Sequence, residues 1–155
     1  MAYEEQLDRV RRYHARFAAI NSGFEATLPS EHYVDDIYAF FQNCYHLKDW
    51  LKKDPVFTAR AGKSKQDIED VVTNTPCLAI CADICNATKH LGLDITKNPP
   101  RSGHEPKFTK REFHVSVGGP TQSLAIKATV EHNGANLDAF TLATDCLTAW
   151  EAFVR

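Results

Sequence analysis

Apolar residues recur along most of this chain at intervals of three and four, and in one stretch the interval falls to two. Leu7, Val10, Tyr13, Phe17 and Ile20 form one stripe at helical period, which predicts a first helix over about 3–20, stopped by Asn21-Ser22-Gly23. Ile37, Phe40, Phe41, Cys44, Leu47 and Leu51 form the second stripe. Ser30 reads as its N-cap, and Asp54-Pro55 ends it after Lys53. Gly62 marks a loop, and Ser64 with Asp67 reads as a capping box opening a third helix. Asn74-Thr75-Pro76 breaks that helix and starts a fourth, with Thr75 as N-cap and Pro76 as first helical residue, ending near Gly92.

Pro99, Pro100, Gly103 and Pro106 forbid a helix over 96–111, so this stretch is expected to be an irregular basic loop. Beyond it Phe113, Val115 and Val117 alternate with polar residues, "GGPTQ" turns the chain, and Leu124, Ile126, Ala128 and Val130 alternate again. That is the pattern of a β-hairpin, which Asn133-Gly134 ends. A last helix over about 137–154 should turn Phe140, Leu147, Trp150 and Val154 inward. The expected fold is therefore mainly α: a four-helix bundle-like body followed by a two-stranded β-hairpin and a C-terminal helix. One domain over 1–155 is expected, with 112–155 as a hairpin–helix extension.

Length permits this, since 155 residues can bury a core without disulfides or metal. The net charge of −2 excludes a basic footprint over the whole surface, so any such patch must be local. The cysteines number five, and four of them sit in apolar helical contexts, which reads as buried thiols of a cytoplasmic protein. "MAYEEQLDRVRRYHARF" is charged throughout and lacks the apolar stretch of a signal peptide, and no apolar run approaches a membrane span.

Candidate chemistry is concentrated in two strings, "CYHLKDW" and "CNATKHL". His46 and Asp49 are three apart, and Asn86 and His90 four apart, so each pair shares a helix face. Projection of the fourth helix sets Asp83, Asn86 and His90 opposite Cys77, Cys81 and Cys85. If short loops join successive antiparallel helices, the second and fourth helices run parallel and both clusters lie at one end of the body. Taken singly, each of these residues is more simply a solvated polar side chain. The thiols at 77, 81 and 85 are more simply small side chains that let helices pack closely. A mononuclear metal on His46, Asp49 and His90 is geometrically conceivable, but the paired Glu-x-x-His motifs of di-metal bundles are lacking. No metal and no cofactor are expected.

The string "ICNATKHL" resembles the R-N-x-x-x-H signature of the HEPN superfamily, small helical bundles that include metal-independent ribonucleases. Asn86 and His90 match the signature, and Cys85 stands in the arginine position. The resemblance covers one helix closely and the four-helix body loosely; the chain from Phe113 onward lies outside it. It implies an RNA-directed protein, commonly dimeric, in which His90 and Asn86, with His46 and Asp49 as companions, carry the chemistry. Lys89, Arg101, Lys107, Lys110 and Arg111 would then contact RNA. A cysteine cannot clamp phosphate as a guanidinium does. That departure favours an alternative: a non-catalytic interaction or regulatory module that dimerises or binds a protein partner.

Overall fold

The computed structural model describes residues 2–90, 92, 96–97, 99–118 and 121–155, with only the backbone of His90 and Thr121. Six helices and four strands follow in the order α1 (Tyr3–Ser22), β1 (Phe24–Glu25), α2 (Ser30–Lys53), α3 (Pro55–Ala61), α4 (Lys65–Asn74), α5 (Pro76–His90), β2 (Lys107–Gly118), β3 (Thr121–His132), β4 (Ala135–Asp138) and α6 (Ala139–Val154). The two long stripes are buried as their spacing requires, with Phe17, Phe40, Phe41, Leu47 and Leu51 wholly inaccessible. Ser64 and Asp67 make the expected capping box at α4. Ser30, in contrast, is the first residue of α2, and Pro29 occupies the cap.

The expected two-stranded hairpin is corrected to a four-stranded antiparallel sheet, and the fold to a mixed one: 63% of the described residues are helical and 20% lie in strands. β3 is its centre. β2 runs along one edge of β3, while β1 and β4 share the other. The two added strands have two and four residues, too short for a period of two to register against their neighbours. Asn133 and Gly134 do not end the sheet. Both adopt positive φ, of 52° and 75°, and turn β3 into β4. β2 also begins at Lys107, so residues 107–111 of the expected irregular loop are strand. A bulge between Phe108 and Lys110 breaks the alternation that would have disclosed it. The "GGPTQ" turn falls on Gly119 and Pro120, which lie outside the described residues.

A further helix, α3, occupies what was expected to be loop. The Asp54 carboxylate caps it by accepting Val56 N at 2.9 Å and Phe57 N at 3.0 Å, and accepts Tyr3 N at 2.9 Å besides. One residue thus ends α2, starts α3 and anchors α1. The buried face of α6 is Ala139, Leu142, Ala143, Cys146 and Trp150, rotated from the expected one. Trp150 is common to both, and Phe140, Leu147 and Val154 pack half-buried at its margin, because the small residues Ala139, Ala143 and Cys146 let the helix approach the core closely.

Leu124, Ile126, Ala128 and Val130 of β3 are buried where α1 and α6 pack on the sheet. Their cross-strand neighbours on β2, and hence on the same face, are Val115, Phe113, Arg111 and Phe108. The helices cover β3 far better than β2. Phe108 still reaches Phe41 and Tyr38, but Phe113, Val115 and Val117 stand 46%, 60% and 73% exposed.

Candidate functional site

α2 and α5 run in the same direction, since Phe41 accepts a bond from Cys81 and, further along both, the Lys48 charge acts on Cys85. The two helices therefore carry Asp49 and Asn86 toward the same end of the body, although α3 breaks the simple alternation of three helices from which that was expected. Among the described residues none of the α5 cluster lines the pocket at His46 and Asp49. His46 is exposed and lines a shallow surface pocket with Asp49, Trp50 and Lys53, all of them on α2. Asn86 is half-buried on α5 and is not among the described residues lining that pocket. The side chain of His90 lies outside the described residues; its backbone ends α5. Cys85, in the arginine position of the resembled signature, is buried, and Lys89 is exposed.

Between Asp49 and the core sits an ion network. Lys48, whose side chain is 8% exposed, pairs with Asp49 at 2.8 Å and Glu69 at 3.5 Å. Lys52 bonds Glu69 as well, and Arg101 reaches Glu69 at 2.8 Å while lying over the ring of Tyr45. Burial works against charge on Glu69, but hydrogen bonds from Lys52 and Arg101 and the charge of Lys48 bring its carboxyl down to about 2. Asp49 is opposed by burial in the same way and held low by Lys48 and Lys52. These contacts occupy two of the sequence-selected residues, Asp49 with Lys48 and Lys52, and Arg101 with Glu69. Because the folded value lies below the ordinary 4.5 of glutamate, the stabilisation from Glu69 is complete above 4.5 and is lost as pH falls toward about 2. Glu69→Gln is expected to flatten the fall of stability over that window, measured by urea unfolding at a series of pH values; an unchanged slope would contradict the network's role.

Asp83 was expected on the polar side of α5 and is instead 2% exposed. Its carboxylate accepts Arg101 N at 2.9 Å, Ser102 N at 2.8 Å and Ser102 Oγ at 2.5 Å. Ser102 Oγ also meets His132 Nε2 at 2.9 Å. Here the serine hydroxyl lies between the Asp83 carboxylate, the His104 carbonyl oxygen and the His132 ring. A nucleophile needs another order, with the imidazole between hydroxyl and carboxylate. The arrangement pins the basic loop onto α5 and β3. A lone carboxylate in the run "PCLAICADIC" was the sequence signal for such a partner.

Lys107, Lys110 and Arg111 are exposed on β2, and Lys110 pairs with Glu112. Around them run open grooves. One, of about 620 Å³, lies between Val34, Asp35 and Tyr38 of α2 and Phe108, Arg111 and Phe113 of β2. Another is lined by Leu28, Phe113, Val115 and Leu124.

All five cysteines are free. The sulfurs of Cys44, Cys81 and Cys146 lie within 4.8 Å of one another. Hydrogen bonds from Cys146 and Cys81 draw the Cys44 thiol down, while burial pushes the Cys146 thiol well up. Among the described residues no helix is long and apolar enough to cross a membrane. No protein-family model matches the chain, and no curated protein or solved structure matches it either.

Proposed function

We propose that this chain is a protein-interaction module that takes an extended segment of a partner along β2. The observation that carries the reading is the uncovered part of the sheet's core-facing side, where Phe113, Val115 and Val117 stand in solvent. β2 pairs with β3 alone among the described residues, so its outer row of backbone donors and acceptors is also open. A long edge with exposed apolar residues is a template for a further strand, and strand addition is an established mode of peptide recognition. Alternation places one set of the incoming side chains over the apolar shelf and the other beside Lys110, His114 and Lys127. Beside the exposed apolar residues that outer side carries Lys110, His114 and Lys127 with Glu112, while Glu131 lies farther along, opposite Lys107, and this local excess of bases favours a segment alternating apolar and acidic residues. The free cysteines suit the cytoplasm, where such a partner would be met.

Panning a displayed peptide library against the whole chain is expected to enrich alternating apolar–acidic segments, and Val115→Lys to abolish their binding. Absence of enrichment, or binding untouched by Val115→Lys, would sink the reading; self-association through β2 would appear as a dimer that the same variant dissolves. RNA binding, implied by the HEPN resemblance, is the second reading, favoured by exposed Lys110 and Arg111, which line one groove with Phe113, and by exposed Lys107 farther along β2. The same variant separates the two, because an added lysine would strengthen attraction to phosphate while blocking the apolar shelf.

A further inference from the structure

We propose that Cys44, Cys81 and Cys146 form a buried thiolate site for a soft closed-shell cation, Cu(I) or Zn(II). The three residues come from three different helices, α2, α5 and α6, and are 0%, 1% and 0% exposed. Their sulfurs all lie within 4.8 Å of one another. Around a metal with metal–sulfur bonds of about 2.3 Å, three sulfurs in a plane sit about 4.0 Å apart. The cluster therefore closes on a cation by shifts of under about one ångström. Thiolate sulfur selects copper(I) or zinc, whereas magnesium, calcium and manganese require oxygen. The described cluster contains cysteine alone.

A second observation points into the same place. Trp150 is 1% exposed, lies one turn beyond Cys146 on α6, and its Nε1 has no hydrogen-bond partner. A buried donor left unpaired is costly. The indole N–H lies close to the Cys44 sulfur, yet makes no full hydrogen bond to it as a thiol. A metal-bound thiolate is a much stronger acceptor than a thiol, and N–H groups directed at ligand sulfur are the usual outer support of such sites. The orphaned indole is thus accounted for by the charged, metal-bound form.

On binding, three S–H bonds break, three sulfur–metal bonds form and three protons leave for solvent. Cys81 and Cys146 then cease donating to the Phe41 and Cys77 carbonyls. Those carbonyls belong to helices whose own N–H groups still satisfy them. Cys77 is half-buried beside Cys146. It stands on the solvent side of the cluster and outside the 4.8 Å group, so for zinc its sulfur has to move in to complete a tetrahedron.

The test is anaerobic titration of the reduced, full-length chain with Cu(I) and, separately, with Zn(II), followed by native mass spectrometry and X-ray absorption. One metal per chain in an all-sulfur shell is expected, together with a raised Tm because the ion cross-links three helices. Cys44→Ser should weaken binding by more than the about tenfold that a supporting residue contributes, and Cys85→Ser, outside the cluster, should leave it intact. Three sulfurs indifferent to Cys77→Ser identify copper, and four that fall with Cys77→Ser identify zinc. Since a serine at position 44 risks misfolding, the wild-type spectrum decides independently. Absence of stoichiometric binding, a nitrogen or oxygen shell, or binding that survives Cys44→Ser in a folded protein overturns the proposal.

Discussion

Asp83→Ala is expected to lower the unfolding free energy by about 2–4 kcal/mol, an effect far beyond that of an ordinary polar substitution. The carboxylate is 2% exposed and accepts two backbone N–H groups, from Arg101 and Ser102, as well as the Ser102 hydroxyl. Alanine withdraws the acceptor from all three donors at once. The loop thereby loses its attachment to α5, while the direct Ser102–His132 contact remains to hold it to β3. Asp83→Asn should fall between wild type and alanine. Its amide retains one acceptor oxygen but points an N–H toward groups that are themselves donors. Urea unfolding gives the magnitude, and hydrogen exchange at Arg101 and Ser102 gives the location. A loss within about 0.5 kcal/mol, with both amides still protected, would show that the loop is held by other contacts.

Phe41→Ala should cost still more, about 3–5 kcal/mol, because it opens a cavity where two layers meet. The ring is wholly buried, with its centroid 5.3 Å from Phe40, 6.3 Å from Phe17 and 5.9 Å from Phe108. Phe17 and Phe40 belong to the helices, whereas Phe108 belongs to β2. The substitution therefore weakens the attachment of β2 to the body as well as the helical core. Thermal unfolding is expected to show a fall in Tm, and hydrogen exchange a loss of protection across the proximal half of β2. Phe41→Leu, which leaves a smaller cavity, should cost less. Equal effects from the two would mean that the ring's contacts with β2 contribute little.

The placement of chemistry was less legible than the helices. His46 and Asp49 line one pocket on α2, but the parallel course of α2 and α5 was expected from a single intervening helix, and the chain places two, α3 and α4, between them. Whether the face with that pocket meets Asn86 depended on how far each helix is rotated about its own axis. Small residues settled this on α5, where Ala79, Ala82 and Cys85 let neighbours cover nearly the whole circumference and enclosed Asp83. The thiol cluster was invisible for a similar reason. Cys77, Cys81 and Cys85 looked like one ladder, yet the sulfurs that meet come from 44, 81 and 146.

The sequence by itself determined whatever depends on near neighbours: the α1 and α2 stripes, the Ser64–Asp67 capping box and the breaks at Asp54-Pro55 and Thr75-Pro76. Side-chain spacing along one helix and hydrogen bonds across three residues are local, so a single stretch of chain specifies them. Only the tertiary structure decided the four-stranded sheet, the burial of Asp83, the meeting of three cysteines and the exposure of Phe113, Val115 and Val117. Each of these depends on which distant element covers a given face. An alternating strand has the same pattern whether helices cover it, as they cover β3, or leave it open, as they leave the distal half of β2.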